Sequence, residues 1–292
     1  MKAALTLCTL LLFSAGCSVG TPKEPASASA PVKVWSLEGF DQPESVLHNA
    51  HDNSLYVSNI NGSPLEDNGK GYISRLSSEG KLLEKFWVTG LGAPKGMALY
   101  GGSLYVADLQ TLHIIDTQTG RIEQSLVMPG SKMLNDIAVD KNGVVYVSDL
   151  LGGGIYRYAQ GQFTPWIAPA DVPHPNGLFY QNDALVMATW GEGMQKDFTT
   201  QTAGGLYGID TATKTLTPLA GAQRMGNLDG IAAINGALMV NDWINGNVFR
   251  YRDGQATLLF NAGKSAADIS ALDDHLLVPV MFEGRVDTYR IR

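Results

Sequence analysis

The chain has 292 residues, of which 45% are hydrophobic and 17% charged, with a formal net charge of −7 and two cysteines. Scattered basic residues in an acidic chain exclude the footprint of a nucleic-acid binder, and the balance favours cationic or metal ligands over polyanions. So few cysteines exclude a disulfide-built scaffold, while the length admits one large all-β domain or two ordinary ones.

The chain opens MKAALTLCTLLLFSAGC. Lys2 gives a minimal positive start, and Ala3 to Phe13 form an apolar run too short to cross a bilayer as a helix. Ser14, Ala15 and Gly16 then lead into Cys17. A small pair before a cysteine resembles the lipobox of bacterial lipoproteins, although Ser14 stands where that motif more often has Leu. The resemblance implies that residues 1–16 are a signal peptide and that Cys17 is lipidated and anchors the chain to a membrane. Ser18 after it points to the outer membrane, facing the periplasm. Cys8 leaves with the leader, so a single cysteine remains and no internal disulfide can form. The alternative is an ordinary secretory signal that contains a cysteine. Residues 17–31 are small, polar and Pro-containing, which reads as a flexible tether, and the globular body spans residues 32–292.

Within the body one short pattern recurs: LYVSN from Leu55, LYVAD from Leu104, VYVSD from Val145, LVMAT from Leu185, LMVND from Leu238 and LLVPV from Leu276. Its spacing, roughly forty to fifty residues, is that of propeller blades of four strands each. A second pattern precedes each copy: PESVLH from Pro43, PKGMAL from Pro94, LNDIAV from Leu134, PNGLFY from Pro175, LDGIAA from Leu228 and ADISAL from Ala267. These read as innermost strands and the Tyr-Val runs as second strands. GYISRL, LHIIDT, GIYRYA, GLYGID, NVFRYR and RVDTYR are third strands, and EKFWVT, EQSLVM, QFTPWI, TLTPLA and ATLLFN are fourth strands. The last repeat lacks a fourth strand, whereas VKVWSL at 32–37 precedes the first repeat unassigned. If it supplies the missing outer strand, the ring closes and no edge stays open. The expectation is an all-β, six-bladed β-propeller closed by its N-terminal strand.

In such a ring, equivalent repeat positions face a common axis. The second residue of each inner-strand pattern gives Glu44, Lys95, Asn135, Asn176, Asp229 and Asp268, all polar. Converging carboxylates repel and raise one another's pKa unless a cation intervenes, and a mixture of carboxylate and amide oxygens suits Ca²⁺. A second ring at the ends of the Tyr-Val strands, Asn59, Asp108, Asp149, Thr189 and Asp242, reads mainly as turn chemistry.

These residues carry a resemblance to the senescence-marker-protein/gluconolactonase/luciferin-regenerating-enzyme-like family of six-bladed propellers, with more distant likeness to paraoxonase and diisopropylfluorophosphatase. The resemblance implies one divalent metal at the channel mouth, Ca²⁺ first, with Mg²⁺, Mn²⁺ or Zn²⁺ as alternatives. Glu44 in PESV, Asn176 in PNGL and Asp229 in LDGI stand at the places of its protein ligands, and Asn135 in LNDIAVDKNG matches a further asparagine lining the site. The departures are the absence of the Gly-Glu-x-Pro-x-Trp wording in the first blade and of the arginine stretch that holds sugars. Lys95 is the candidate to replace the latter.

The implied reaction is metal-assisted hydrolysis of a small-molecule lactone or related ester. Asp229 is the first candidate for general base or nucleophile, and His174, two residues before Asn176, the second. His48, His51 and His275 fall on the opposite face. Two long loops on the site face, 60–71 and 191–205, with Trp190 and Trp243, are candidates for a lid and aromatic walls; the tryptophans equally suit packing between blades. GGG at 152–154 reads as a turn, not a phosphate cradle. A second reading stays open: a monomeric, non-catalytic propeller lipoprotein that binds a ligand or partner at the channel face.

Overall fold

The computed structural model describes residues 30–172 and 174–292. Six four-stranded antiparallel sheets account for nearly all described strands, each running from inner to outer strand in chain order except the last. Blade 1, for example, comprises Pro43–Asn49, Ser54–Asn59, Gly71–Ser77 and Leu82–Leu91. The expected inner strands begin each blade at Pro43, Pro94, Leu134, Pro175 and Leu228; in blade 6 the regular inner strand is cut to Ser270–Leu272. The sheet order of blade 6 places Val32–Glu38 outermost, against Arg285–Arg290, so the N-terminal strand does complete the last blade.

Burial follows position in the blade. The second strands Ser54–Asn59 and Ala237–Asp242 are buried at every residue, because both faces meet neighbouring blades. Outer strands such as Gln255–Asn261 carry mostly exposed or half-buried residues. The core is accordingly a set of interblade layers. Tyr56 and Ile73 of blade 1 pack on Met97, Leu104, Val106 and Ile115 of blade 2. At the seam, Val46, Leu55, Val57 and Leu76 pack on Leu277 and Val286 of blade 6. Burial of such side chains contributes roughly 1.5–3 kcal/mol each.

Closure is polar as well as apolar. Lys33 Nζ on the closing strand lies 2.7 Å from Asp287 Oδ2. Burial works against the Asp287 charge, yet hydrogen bonds from Lys33, Ser36 and Arg285 hold its carboxyl below the usual range. Near the axis the first and last inner strands meet directly: Asp268 N donates to Glu44 O at 2.9 Å, and Ser45 Oγ donates to Asp268 Oδ2 at 2.5 Å. No helix among the described residues is long and apolar enough to cross a membrane. Cys17, the signal peptide and most of the tether lie outside the described residues.

Candidate active site at the mouth of the central channel

Each of the first five inner strands enters its sheet through the same irregularity. Pro43 pairs with Asn59 and Val46 with Val57, so one extra residue is accommodated between them; the identical offset recurs at Pro94/Met97, Leu134/Ile137, Pro175/Leu178 and Leu228/Ile231. A bulge of this kind frees two residues from the ladder and re-aims their side chains. The first freed residue of each pair is Glu44, Lys95, Asn135, Asn176 or Asp229. Backbone groups at the bulge still need partners. Ser58 Oγ, Ser148 Oγ and Asn241 Oδ1 on the facing second strands accept from Ser45 N, Asp136 N and Gly230 N at 2.9, 3.0 and 2.9 Å.

Where the inner strands approach most closely the second freed residue is glycine. A Cβ on Gly177 would lie 1.9 Å from Asp229 O, and one on Gly230 would lie 2.3 Å from Ile269 N. These glycines let the ring contract until neighbouring polar side chains meet. Residues of the second ring then clamp the loops entering the inner strands. Asp108 accepts from Gly92 N and Ala93 N, Asp149 from Lys132 N and Met133 N, and Asn59 from Asp41 N. Asp242 caps the turn that follows its strand, and Thr189 bonds Gly205, so this ring is structural as its turn-forming chemistry suggests. Gly152 N likewise donates to Asp149 Oδ1, within a turn.

The five ring residues form the floor of a cavity of about 310 Å³. All five are buried, and Lys95 and Asn176 have no solvent exposure. Asn176 Nδ2 donates to Leu228 O at 3.1 Å and to Asp229 Oδ1 at 2.8 Å, which fixes its amide orientation with the oxygen free. Three buried oxygens on this floor have no hydrogen-bond donor: Glu44 Oε2, Asn135 Oδ1 and Asn176 Oδ1. Lys95 Nζ is spent partly on Ala93 O, at 2.7 Å.

The electrostatics match the crowding. Burial, then the charges of Asp229 and Asp268, push the Glu44 carboxyl well above its usual range, against a pull from Lys95. Asp229 is raised by burial and by Asp268, and the hydrogen bond from Asn176 opposes this. Burial brings the Lys95 ammonium down to about 8 despite Glu44 and Asp108.

Asp268 does not belong to this floor, contrary to the register expected from the sequence. It bridges to Ser45, one residue beyond Glu44, and with Ser45 and Asp136 lines a second cavity of about 420 Å³ that includes His48 at the opposite end of the channel. The reason is local: Ala266 bridges Val280 and Ser270 pairs with Leu277, so the sixth strand carries the same one-residue offset in a register one residue earlier than expected, and Ala267, not Asp268, is its first freed residue. Burial raises the Asp268 carboxyl to about 7.

His174 is also placed differently from a cavity base. It is half-buried in the left-handed region (φ 52°), its Nδ1 bonds Leu150 O at 3.0 Å, and it is not among the residues lining the cavity. Both tryptophans do line it, together with Ile60 and Pro64 from the first long loop and Asp197 and Phe198 from the second. The second loop is folded back as a small hairpin, Gly191–Glu192 against Thr202–Ala203. Trp190 Nε1 ties it down by donating to Phe198 O at 2.7 Å. Trp190 is also packed on Met133 and Leu150, so the interblade and the wall roles coincide in one side chain.

Sequence reasoning missed the rest of the collar. Met281 and Phe282 arrive on a 3₁₀ turn, Met281–Glu283, after the second strand of blade 6, and Met133 and Leu150 flank the ring in blade 3. Their signal was positional: each lies just before an inner strand or just after a second strand. Among the described residues no group of three or more His, Cys, Asp or Glu side chains converges at metal-binding spacing, so an ion here has two carboxylates and two amides to draw on. Those donors, three of them with an orphaned buried oxygen, fit a hard, oxygen-seeking cation.

No protein-family model matches the chain, and no curated protein does. Solved structures do. One described provisionally as a gluconolactonase is 16% identical, with a TM-score of 0.64 over 92% of this chain and 93% of that one. A catalytically inactive virginiamycin B lyase variant from Staphylococcus aureus, with quinupristin, is 16% identical (TM-score 0.58, 88% of this chain, 99% of that one). Selenomethionine-substituted virginiamycin B lyase from the same organism is 15% identical (TM-score 0.61, 88% and 99%). At such identity the likeness establishes the shared propeller fold.

Proposed function

We propose that this protein hydrolyses a lactone or related ester at the channel mouth, using one divalent cation held by Glu44, Asn135, Asn176 and Asp229. The observation that carries the reading is the trio of buried, donorless oxygens on one cavity floor. Leaving three such acceptors unpaired would cost about 1–3 kcal/mol each, and a cation removes that cost. An all-oxygen set favours Ca²⁺ over Zn²⁺, which prefers nitrogen and sulfur. When bound, the ion supplies polarisation of the substrate carbonyl and acidification of a water.

The chain's own residues do the remainder. Asn176 holds Asp229 Oδ1, leaving the other carboxylate oxygen to accept a proton from the attacking water. That water's oxygen bonds to the carbonyl carbon, the ring C–O bond breaks, and the departing alkoxide takes the proton to give a hydroxy acid. Lys95 offsets part of the negative charge beside Glu44. Trp190 and the hairpin loop that it ties down exclude bulk water from above. The gluconolactonase-like neighbour agrees with this class of chemistry.

A panel of lactones and aryl esters with the purified protein, with and without chelator, tests the reading. Turnover should vanish on chelation, return with Ca²⁺, and fall by roughly a hundredfold or more in Asp229→Ala. Bound metal without turnover would instead support the binding-protein alternative. The same proposal includes display on the cell envelope by a lipid on Cys17. Cys17→Ser is expected to move the protein from the membrane to the soluble fraction, and retention in the membrane would refute the anchor.

A further inference from the structure

The floor and the walls of the mouth cavity are chemically opposite. Five of its six polar lining residues are the buried ring at the bottom; the sixth, Asp197, sits at the exposed rim with Oδ1 already accepting from Thr199. Above the ring the walls are apolar throughout. Trp190, Trp243 and Phe282 form a continuous arc, with ring centroids 5.9 Å apart for the tryptophan pair and 5.2 Å for the edge-on pair Trp243–Phe282. Phe198 extends the arc beyond Trp190. The indole N–H of Trp190 is committed to Phe198 O, so this wall offers no donor there. Phe282 is 68% exposed, a large aromatic surface left bare at the rim of a cavity.

A polyhydroxylated ring placed here would bury hydroxyls against carbon, and each unpaired hydroxyl costs roughly ten- to a hundredfold in affinity. An alkyl or aryl substituent would gain from the same surface, roughly three- to fourfold for every methylene it buries. A cavity of about 310 Å³ is at the small end of ligand pockets, roughly 300–1,000 Å³. It takes one compact head on the ring and one short apolar arm along the arc.

We infer that the ligand is a lactone or ester bearing an apolar alkyl or aryl substituent, seated against Trp190, Trp243 and Phe282, and not a sugar lactone. The inference rests on the hydrolase reading for the head group and on the walls for the arm.

The test uses the full chain carrying Cys17→Ser, which keeps detergent out of the assay. kcat/KM is measured for γ-lactones with side chains from none to eight carbons and for glucono-δ-lactone. Binding is measured by calorimetry for the non-hydrolysable ethers 2-hexyltetrahydrofuran and 1,5-anhydroglucitol. The expected result is a kcat/KM that climbs about three- to fourfold per carbon until the cavity fills, with the alkyl ether bound at least tenfold tighter than the polyol. Trp243→Ala and the surface variant Phe282→Ala should flatten the climb, and Trp243→Phe should largely restore it. A preference for glucono-δ-lactone or 1,5-anhydroglucitol, or a chain-length profile that is flat, overturns the inference while leaving hydrolysis standing. Binding of the alkyl ether with no lactone turned over supports the apolar ligand and removes the hydrolase reading.

Discussion

Glu44, Asp136, Asp229 and Asp268 are buried carboxylates in two tiers around one axis, with Lys95 the single buried cation among the described residues. Burial raises the affinity of all four for protons, and for Glu44, Asp136 and Asp229 neighbouring carboxylates add to it. The consequence for stability has a definite sign. An acid whose pKa is raised by folding holds its proton more tightly in the folded state. For Asp268 that stabilisation is complete below 3.8 and is lost as pH rises through about 7. Carboxylates with lowered values, Asp287 among them, act oppositely, but only below their unfolded range near 3.8. In the presence of chelator the melting temperature should therefore fall between about pH 5 and pH 8. Excess Ca²⁺ should remove most of that fall by binding the ionised ring. A chelated protein whose melting temperature climbs across this window would show that the channel is not electrostatically crowded.

The strands were the most legible part of the chain, because a blade repeats one burial pattern. LYVSN, LYVAD and VYVSD are buried on both faces, and their turns carry Asn or Gly at the left-handed positions Asn53, Gly102 and Gly143. The closing strand was legible by arithmetic, a deficit at one end matching a surplus at the other, and Val32–Glu38 fills it. The bulges were not. No residue type announces them, although the serines and asparagine opposite them, Ser58, Ser148 and Asn241, were a signal in hindsight, since each satisfies a freed backbone N–H. The bulge decides which of two consecutive polar residues faces which end of the channel. Hence Glu44, Asn135, Asn176 and Asp229 share one tier as the sequence pattern implies, whereas Asp268 falls in the other, because the sixth bulge begins at Ala266 and frees Ala267 first. His174 escaped for a related reason: spacing brought it near Asn176, and a backbone carbonyl holds its ring instead. Connecting segments follow no repeat, so the only sign of the 3₁₀ turn carrying Phe282 is its place just after a second strand.

At the scale of the whole molecule, the propeller brings to one point residues from five blades that lie as far apart in sequence as Glu44 and Asp229. The ring acts as a unit because each inner strand is wedged by the next, glycine against backbone at Gly177 and Gly230. Above that unit the aromatic collar keeps the floor in a poorly solvated setting, where a charge or dipole acts more strongly than in water. The neighbours with solved structures share the fold at 15–16% identity, and a fold alone does not fix what its mouth binds. In this chain the mouth sets an oxygen floor beneath an apolar arc, and cation binding depends on the floor. The direct measurement is calorimetric titration of Ca²⁺ into the chelator-stripped full chain, beside Glu44→Gln and Asn176→Leu variants checked for folding by circular dichroism. The account predicts one ion bound per chain and an affinity at least tenfold weaker in each variant. No binding by the native chain, or equal binding by folded variants, would contradict it.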